Sequence, residues 1–465
     1  MIGRFGSWID RIALRAFRRS HSRLDRFKLT KKALIRQTLL ADEAIAGAVK
    51  EHAMETGLSE DAGWRRVDAY IDEIVPFFNI LTYYKIGLAV SRLLLGFFYK
   101  VSAEFASGSS PRRLPDDSIV LYLMNHRSNA DYVLVGFVLS GQVAISYAVG
   151  EWARTFPLEY IFKSFGAYFI RRKYRGKLYH TVLERYVQLI TRNGVTQGIF
   201  LEGGLTRDGK LGEAKIGLLD YVLGVARDPE MRRRLHIVPV AIGYDRVLED
   251  RSLLRELDAR EGGRRASRLT QLREVLRYVW WNLVRVVGGR WKRYGRAAVV
   301  IGEPLALAPW FEQQDRETRG LFDLERSERL ARVQTLADMV LERIAAIIPV
   351  TPVPLACAAV QSFDSDFISR EQLLNRMSDM RDVLTELNAR VIHREGSIEE
   401  VLDRAWRMLR MRRILVEVGT GYAVPPGQRP LVSYYANSVA HLLGPFAEGV
   451  RRRDALPSQL FATAS

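Results

Sequence analysis

Asn125, His126 and Asp131 close a run of apolar residues, in the stretch Leu-Met-Asn-His-Arg-Ser-Asn-Ala-Asp-Tyr-Val. The end of a buried strand is where α/β folds usually place reactive side chains. A loop of this length can turn the Asp131 carboxylate back onto the His126 ring. A carboxylate on Nδ1–H fixes the imidazole tautomer and leaves Nε2 free to accept a proton. The pair would then serve as a general base for a hydroxyl, with no protein nucleophile required. The same spacing also describes a polar turn between two core elements. The chain has seven histidines, and His21 with Asp25 gives a similar pairing that on a helix is only an i,i+4 neighbour.

Three further stretches carry charge or glycine at the ends of β-type runs. In Phe-Gly-Ala-Tyr-Phe-Ile-Arg-Arg-Lys, Arg171 and Arg172 are followed by Lys173, Arg175 and Lys177. Adjacent residues on a strand point to opposite faces, so one of the two arginines would reach a site there. In Phe-Leu-Glu-Gly-Gly-Leu-Thr-Arg-Asp-Gly-Lys, Glu202 and Gly203 precede Arg207 and Lys210. Paired glycines let backbone approach a ligand and can turn N–H groups to an anion, and the two cations suit a phosphate. Taken singly, a solvated basic cluster and a glycine turn with exposed cations explain these two stretches as well. The last, residues 237–249, reads as a strand that Pro239 confines to an edge or to the start of pairing. It offers a pocket wall without evident chemistry.

The elements that would position these residues alternate. β-type runs at 119–125, 142–149, 167–171, 198–202, 236–244 and 297–302 are separated by amphipathic stretches at 129–141, 175–193 and 213–227. That alternation predicts a mixed, mostly parallel sheet flanked by helices. From about residue 350 no such strands are expected. Residues 367–412 read as two or three charged helices and 431–446 as another. The linker at 106–117 separates an N-terminal helical, basic region (1–115) from a catalytic domain (116–349), with a C-terminal helical domain at 350–465.

Of the 465 residues, 70 are Lys or Arg against 53 Asp or Glu, for a net charge of +17. Such a balance implies an anionic partner: nucleic acid, a lipid surface or a phosphorylated substrate. No nucleic-acid motif accompanies the charge. The single cysteine, Cys357, excludes an internal disulfide and any cysteine-cluster metal site. No signal peptide or spanning segment is expected. Residues 1–40 interleave cations with Trp8, Ile9, Ile12, Leu14, Phe17, Leu24 and Phe27, the pattern of a helix lying on an anionic membrane surface. A basic helix packed on its own protein would look the same. Residues 74–101 divide in the same way between an interfacial and a buried helix.

Together and in this order, the four stretches resemble the glycerol-3-phosphate acyltransferase family, among the glycerolipid acyltransferases. Asn-His-x4-Asp is met by Asn125, His126 and Asp131. Gly-x-x-Phe-Ile-Arg-Arg is met by Gly166, Phe169, Ile170, Arg171 and Arg172. Phe-x-Glu-Gly with following cations is met by Phe200, Glu202, Gly203, Arg207 and Lys210, and the last block by Ile237 to Asp245. The likeness extends into residues 301–305 and 434–443, which suggests the large branch of the family. It implies a glycerolipid acyltransferase-like fold, and His126, oriented by Asp131, as the base that deprotonates the sn-1 hydroxyl of glycerol 3-phosphate. Arg171 or Arg172, with Arg207 and Lys210, would hold the phosphate, and Glu202 would orient them or bond the glycerol.

The resemblance further implies acyl-CoA or acyl carrier protein as co-substrate, no metal or other cofactor, and a peripheral site on the cytoplasmic face of the cell membrane. An oxyanion donor would come from backbone N–H groups near the strand ends. In one respect the chain departs from the family, which usually carries arginine where Leu205 stands. That departure keeps dihydroxyacetone phosphate or another alcohol open as acceptor. A non-catalytic lipid-binding member and a nucleic-acid binder also remain open.

Overall fold

The computed structural model describes residues 32–76, 88–106, 114–140, 143–150, 158–164, 166–171, 174, 176–260, 294–318 and 320–452. Most of the basic amphipathic N-terminus, residues 77–87 of the 74–101 segment and residues 107–113 of the linker lie outside them. Arg172 does too.

The sheet is built from β1 (Lys100–Phe105), β2 (Ile119–Met124), β3 (Ser146–Val149), β4 (Tyr168–Phe169), β5 (Gln197–Phe200), β6 (Leu235–Tyr244), β7 (Arg296–Ile301) and β8 (Leu305–Ala306). Their order is β1-β7-β6-β2-β5-β3-β4, with β8 also on β6. From β6 to β4 all neighbours are parallel. The β7 strand runs antiparallel to β6 and parallel to β1. The mixed, mostly parallel sheet is therefore present.

All six residues of β2 are buried, as expected for a strand covered on both faces. Ile119, Leu121 and Leu123 enter one core, Val120, Tyr122 and Met124 the other. The first core lies under the helices Lys177–Arg192 and Arg326–Ala346, with the N-terminal helices Lys32–Leu40, Glu43–Thr56 and Glu60–Ile74 packed outside. The second lies under Asp131–Leu139 and the C-terminal helices. His126 continues the even-numbered face of β2, so it opens towards the second layer.

Three features differ from the sequence expectation. β1 joins the sheet from inside the region read as N-terminal and helical, because its partner β7 lies almost 200 residues further along the chain. Pro239 lies in a central strand, not at an edge. Its missing N–H falls where pairing to β6 passes from β7 to β8, and its carbonyl accepts from Gly302 N–H at 2.8 Å. Strands recur after residue 350: β9 (Phe367–Ser369), β10 (Val416–Val418) and β11 (Gly421–Ala423) form a small antiparallel sheet. Helix Pro352–Gln361 is buried along its whole length, with the helices Arg370–Glu386, Ile398–Met411 and Arg429–Asn437 packed around it.

Candidate active site

Asn125 ends β2 by putting its side chain where the next rung would be. Its Nδ2 donates to Ile242 O at 3.0 Å and its Oδ1 accepts from Ile242 N–H at 2.8 Å. The chain can then leave the strand without orphaning the backbone of β6. Asp131, the first residue of helix Asp131–Leu139, closes the turn that follows. One carboxylate oxygen, Oδ2, receives the His126 ring at 2.9 Å, Arg127 N–H at 2.7 Å and Ser128 N–H at 3.0 Å. The other, Oδ1, receives the phenol of Tyr244 at 2.6 Å.

Since Asp131 is wholly buried, this saturation keeps a charged carboxylate tolerable there. Nδ1 is the ring nitrogen that faces the carboxylate, so it carries the proton and Nε2 is left as acceptor. His126 as a whole is 5 % exposed. It stacks on Phe200 at 3.9 Å between centroids and meets the edge of Tyr132.

Glu202 supports the histidine from behind. Its oxygens accept from His126 N–H and Gly212 N–H, each at 2.8 Å, so it ties the end of β2 to the glycine loop. Burial raises its pKa, while the Arg127 charge and the two N–H donors pull the other way. Glu202 thus bonds backbone, where a role on cations or on the glycerol was expected. Gly203 sits at φ 67°, a conformation that favours glycine, and its N–H is used on Phe200 O at 2.9 Å. The N–H groups of His126, Arg127, Ser128 and Gly203 are therefore engaged in building the turns.

The loop after Gly203 runs beside the histidine, with Thr206 N–H on His126 O at 3.3 Å. Arg207 reaches Glu256 at 3.3 Å in an exposed pair, and Lys210 is exposed. Leu205 is half-buried against the second core. Below the loop, Arg127 is buried and donates to the carbonyls of Gly209 and Lys210. The C-terminal helix Arg429–Asn437 grips the same loop. Asn437 Nδ2 donates to Asp208 O at 2.9 Å, and a Cβ on Gly209 would stand 1.8 Å from Tyr434 O.

The structure thus brings together His126, Asp131, Glu202, Gly203, Arg207 and Lys210. Arg171 is placed elsewhere, just beyond β4 and three strand positions from β2, at about 4.8 Å per step. Its guanidinium pairs with Glu73, bonds Tyr174 Oη at 2.8 Å and stacks on that ring. Sequence reasoning missed Arg127, Tyr244, Glu249 and Asn437. Glu249 bonds Ser128 Oγ at 2.7 Å and Asn129 N–H at 3.3 Å, and burial raises its pKa. The Gly-Tyr-Asp run at the end of β6 offered a signal for Tyr244, and the likeness at 434–443 one for Asn437. Among the described residues no group of His, Cys, Asp and Glu is placed to share a metal ion.

Two family models match the chain: "Acyltransferase" over residues 109–243 and "Glycerol-3-phosphate acyltransferase C-terminal region" over 280–447. A curated relative, the glycerol-3-phosphate acyltransferase of Aeromonas hydrophila subsp. hydrophila, is 27% identical over 444 residues, covering 93% of this chain and 53% of that protein. The chain therefore spans about half the length of that relative. Among solved structures, the 1-acyl-sn-glycerophosphate (LPA) acyltransferase PlsC from Thermotoga maritima matches at 18% identity and a TM-score of 0.31, over 56% of this chain and 78% of that one.

Proposed function

Because the chain belongs to the glycerol-3-phosphate acyltransferase family, we propose that it transfers a fatty acyl group from an acyl thioester to the sn-1 hydroxyl of glycerol 3-phosphate. The observation that carries this reading is the His126–Asp131 pair at 2.9 Å, in a turn whose His126 carbonyl accepts from Thr206 N–H of the basic loop 206–210. Nε2 takes the hydroxyl proton as the oxygen attacks the thioester carbonyl. The tetrahedral intermediate collapses, the carbon–sulfur bond breaks, and the imidazolium returns its proton to the thiolate. Products are lysophosphatidate and the free thiol of CoA or of acyl carrier protein.

In this reading Arg207 and Lys210 hold the substrate phosphate. Arg207 must leave Glu256 to do so, at little cost, because an exposed ion pair contributes about 0–1 kcal/mol. A charge-assisted arginine–phosphate contact contributes about 1.5–3 kcal/mol. Arg207→Ala is therefore expected to raise KM for glycerol 3-phosphate about 10- to 100-fold with kcat little changed. An unchanged KM would sink the phosphate-site assignment.

Leu205 supports a second reading, in which the acceptor is dihydroxyacetone phosphate or another alcohol. Its half-buried, apolar seat lines the loop where the resemblance leads one to expect a cation. An acceptor panel with one acyl donor separates the two: glycerol 3-phosphate should give the highest kcat/KM.

The reading includes a peripheral position on the cytoplasmic face of the cell membrane. Its support is the net charge of +17 and the interleaved cations and apolar residues of 1–40, as in helices that bind anionic lipid. No helix among the described residues is long and apolar enough to cross a membrane.

A further inference from the structure

We propose that Tyr244 is a positioning residue of the acyl-transfer site, holding Asp131 so that the carboxylate keeps His126 in its reactive orientation. The inference rests on the general-base reading of His126. Tyr244 closes β6, and its phenol is the donor on Asp131 Oδ1, at 2.6 Å. The three remaining bonds to Asp131 all fall on Oδ2. Without the phenol, Oδ1 would be a buried anionic oxygen deprived of its donor, and the carboxylate could rotate about its bond to Cβ.

The phenol is itself well fixed. Its ring packs on Tyr99 at 5.4 Å, and the Tyr99 hydroxyl donates to Arg246 O at 2.8 Å. The next residue, Asp245, accepts from Arg296 N–H at 2.8 Å and from Val353 N–H at 3.0 Å. It thereby locks the end of β6 between β7 and the first turn of the buried C-terminal helix. Burial, with the nearby Asp131 charge, raises the Tyr244 pKa well above its ordinary value, so the phenol stays a donor at working pH.

The other ionisable groups around the pair are Arg127 and Glu202 from the two loops, and Glu249 and Asp250 after β6. Tyr132 against the imidazole, Tyr99, and Tyr434 from the C-terminal helix also face the pair. None of the bonds recorded for these side chains reaches Asp131 Oδ1.

A donor on Oδ1 draws charge away from Oδ2. Removing it concentrates charge towards the imidazole and favours the imidazolium. Tyr244→Phe is therefore expected to move the acid limb of the kcat/KM profile to higher pH and to lower kcat about tenfold, with KM unchanged. Tyr99→Phe serves as the control: it cuts a buried phenol bond in the same ring pair without touching Asp131, and should leave the acid limb where it is. Tyr244→Met is measured as well, and replaces the phenylalanine chain if that one does not fold.

Coincident profiles and equal kcat in wild type and the Tyr244 variant would overturn the proposal. An equal displacement in Tyr99→Phe would do so too, since it would mark a merely structural effect. His126→Ala is assayed in parallel. Full activity there would overturn the general-base reading itself, whereas an inactive His126→Ala beside a wild-type-like Tyr244→Phe would overturn the Tyr244 inference alone.

Discussion

His126→Ala is expected to lower kcat by about 10²–10⁴-fold, the usual contribution of a positioned general base. The folded state should survive the change. Asp131 keeps its bonds from Arg127 N–H, Ser128 N–H and the Tyr244 phenol, and Glu202 still bonds the backbone of residue 126. What goes is the imidazole that pairs with Asp131 and stacks on Phe200. The measurement is steady-state kinetics, with circular dichroism confirming that the variant is folded. A folded variant with near-normal kcat would remove His126 from the mechanism.

Arg412→Met carries the largest expected effect on stability. Arg412 and Asp250 are both buried and paired through both guanidinium nitrogens, with the second bond at 2.8 Å. The Tyr435 hydroxyl bridges them, donating to Asp250 at 2.5 Å and accepting from Arg412 at 2.9 Å. Burial works against the arginine charge, yet Tyr435 and Asp250 together hold its pKa above the ordinary value.

Removing one partner strands the other charge in the interior, a change that costs about 3–5 kcal/mol. Apolar residues at both positions, Asp250→Leu with Arg412→Met, should recover most of that loss. Urea unfolding measures both. A loss within about 0.5 kcal/mol for the single variant, the range of ordinary surface substitutions, would show that the triad is not what joins the C-terminal helices to the segment after β6. The consequence would reach the candidate site, because Glu249, next to Asp250, holds Ser128 and Asn129 of the turn between His126 and Asp131.

What could be read from the sequence was local. An unbroken apolar run marks β2, and the polar residues that interrupt it mark its end. His126 and Asp131 are five residues apart, so their pairing needs only one turn. Glu202 and the loop after it follow β5, which lies beside β2. Contacts between distant segments left no such trace. The pairing of Arg171 with Glu73 and that of Tyr244 with Asp131 each span about a hundred residues. Neither partner's neighbours announce the other.

The strand β1 escaped notice for the same reason, since its hydrogen bonds go to β7. Pro239 misled because its rule concerns a missing donor, and here the donor is not needed where β7 gives way to β8. The hold of the C-terminal helix on residues 208 and 209 depends on a side-chain amide and a glycine without Cβ, which composition does not distinguish from any surface turn.

The most direct test of the proposed chemistry is product formation by the purified full chain. Glycerol 3-phosphate is supplied with acyl-CoA and, separately, with acyl carrier protein loaded with the same acyl group, and products are identified by mass spectrometry. The account predicts 1-acyl lysophosphatidate from wild type with at least one donor, and none above background from folded His126→Gln. Equal product from both proteins, or acylation of other alcohols in preference to glycerol 3-phosphate, would contradict it.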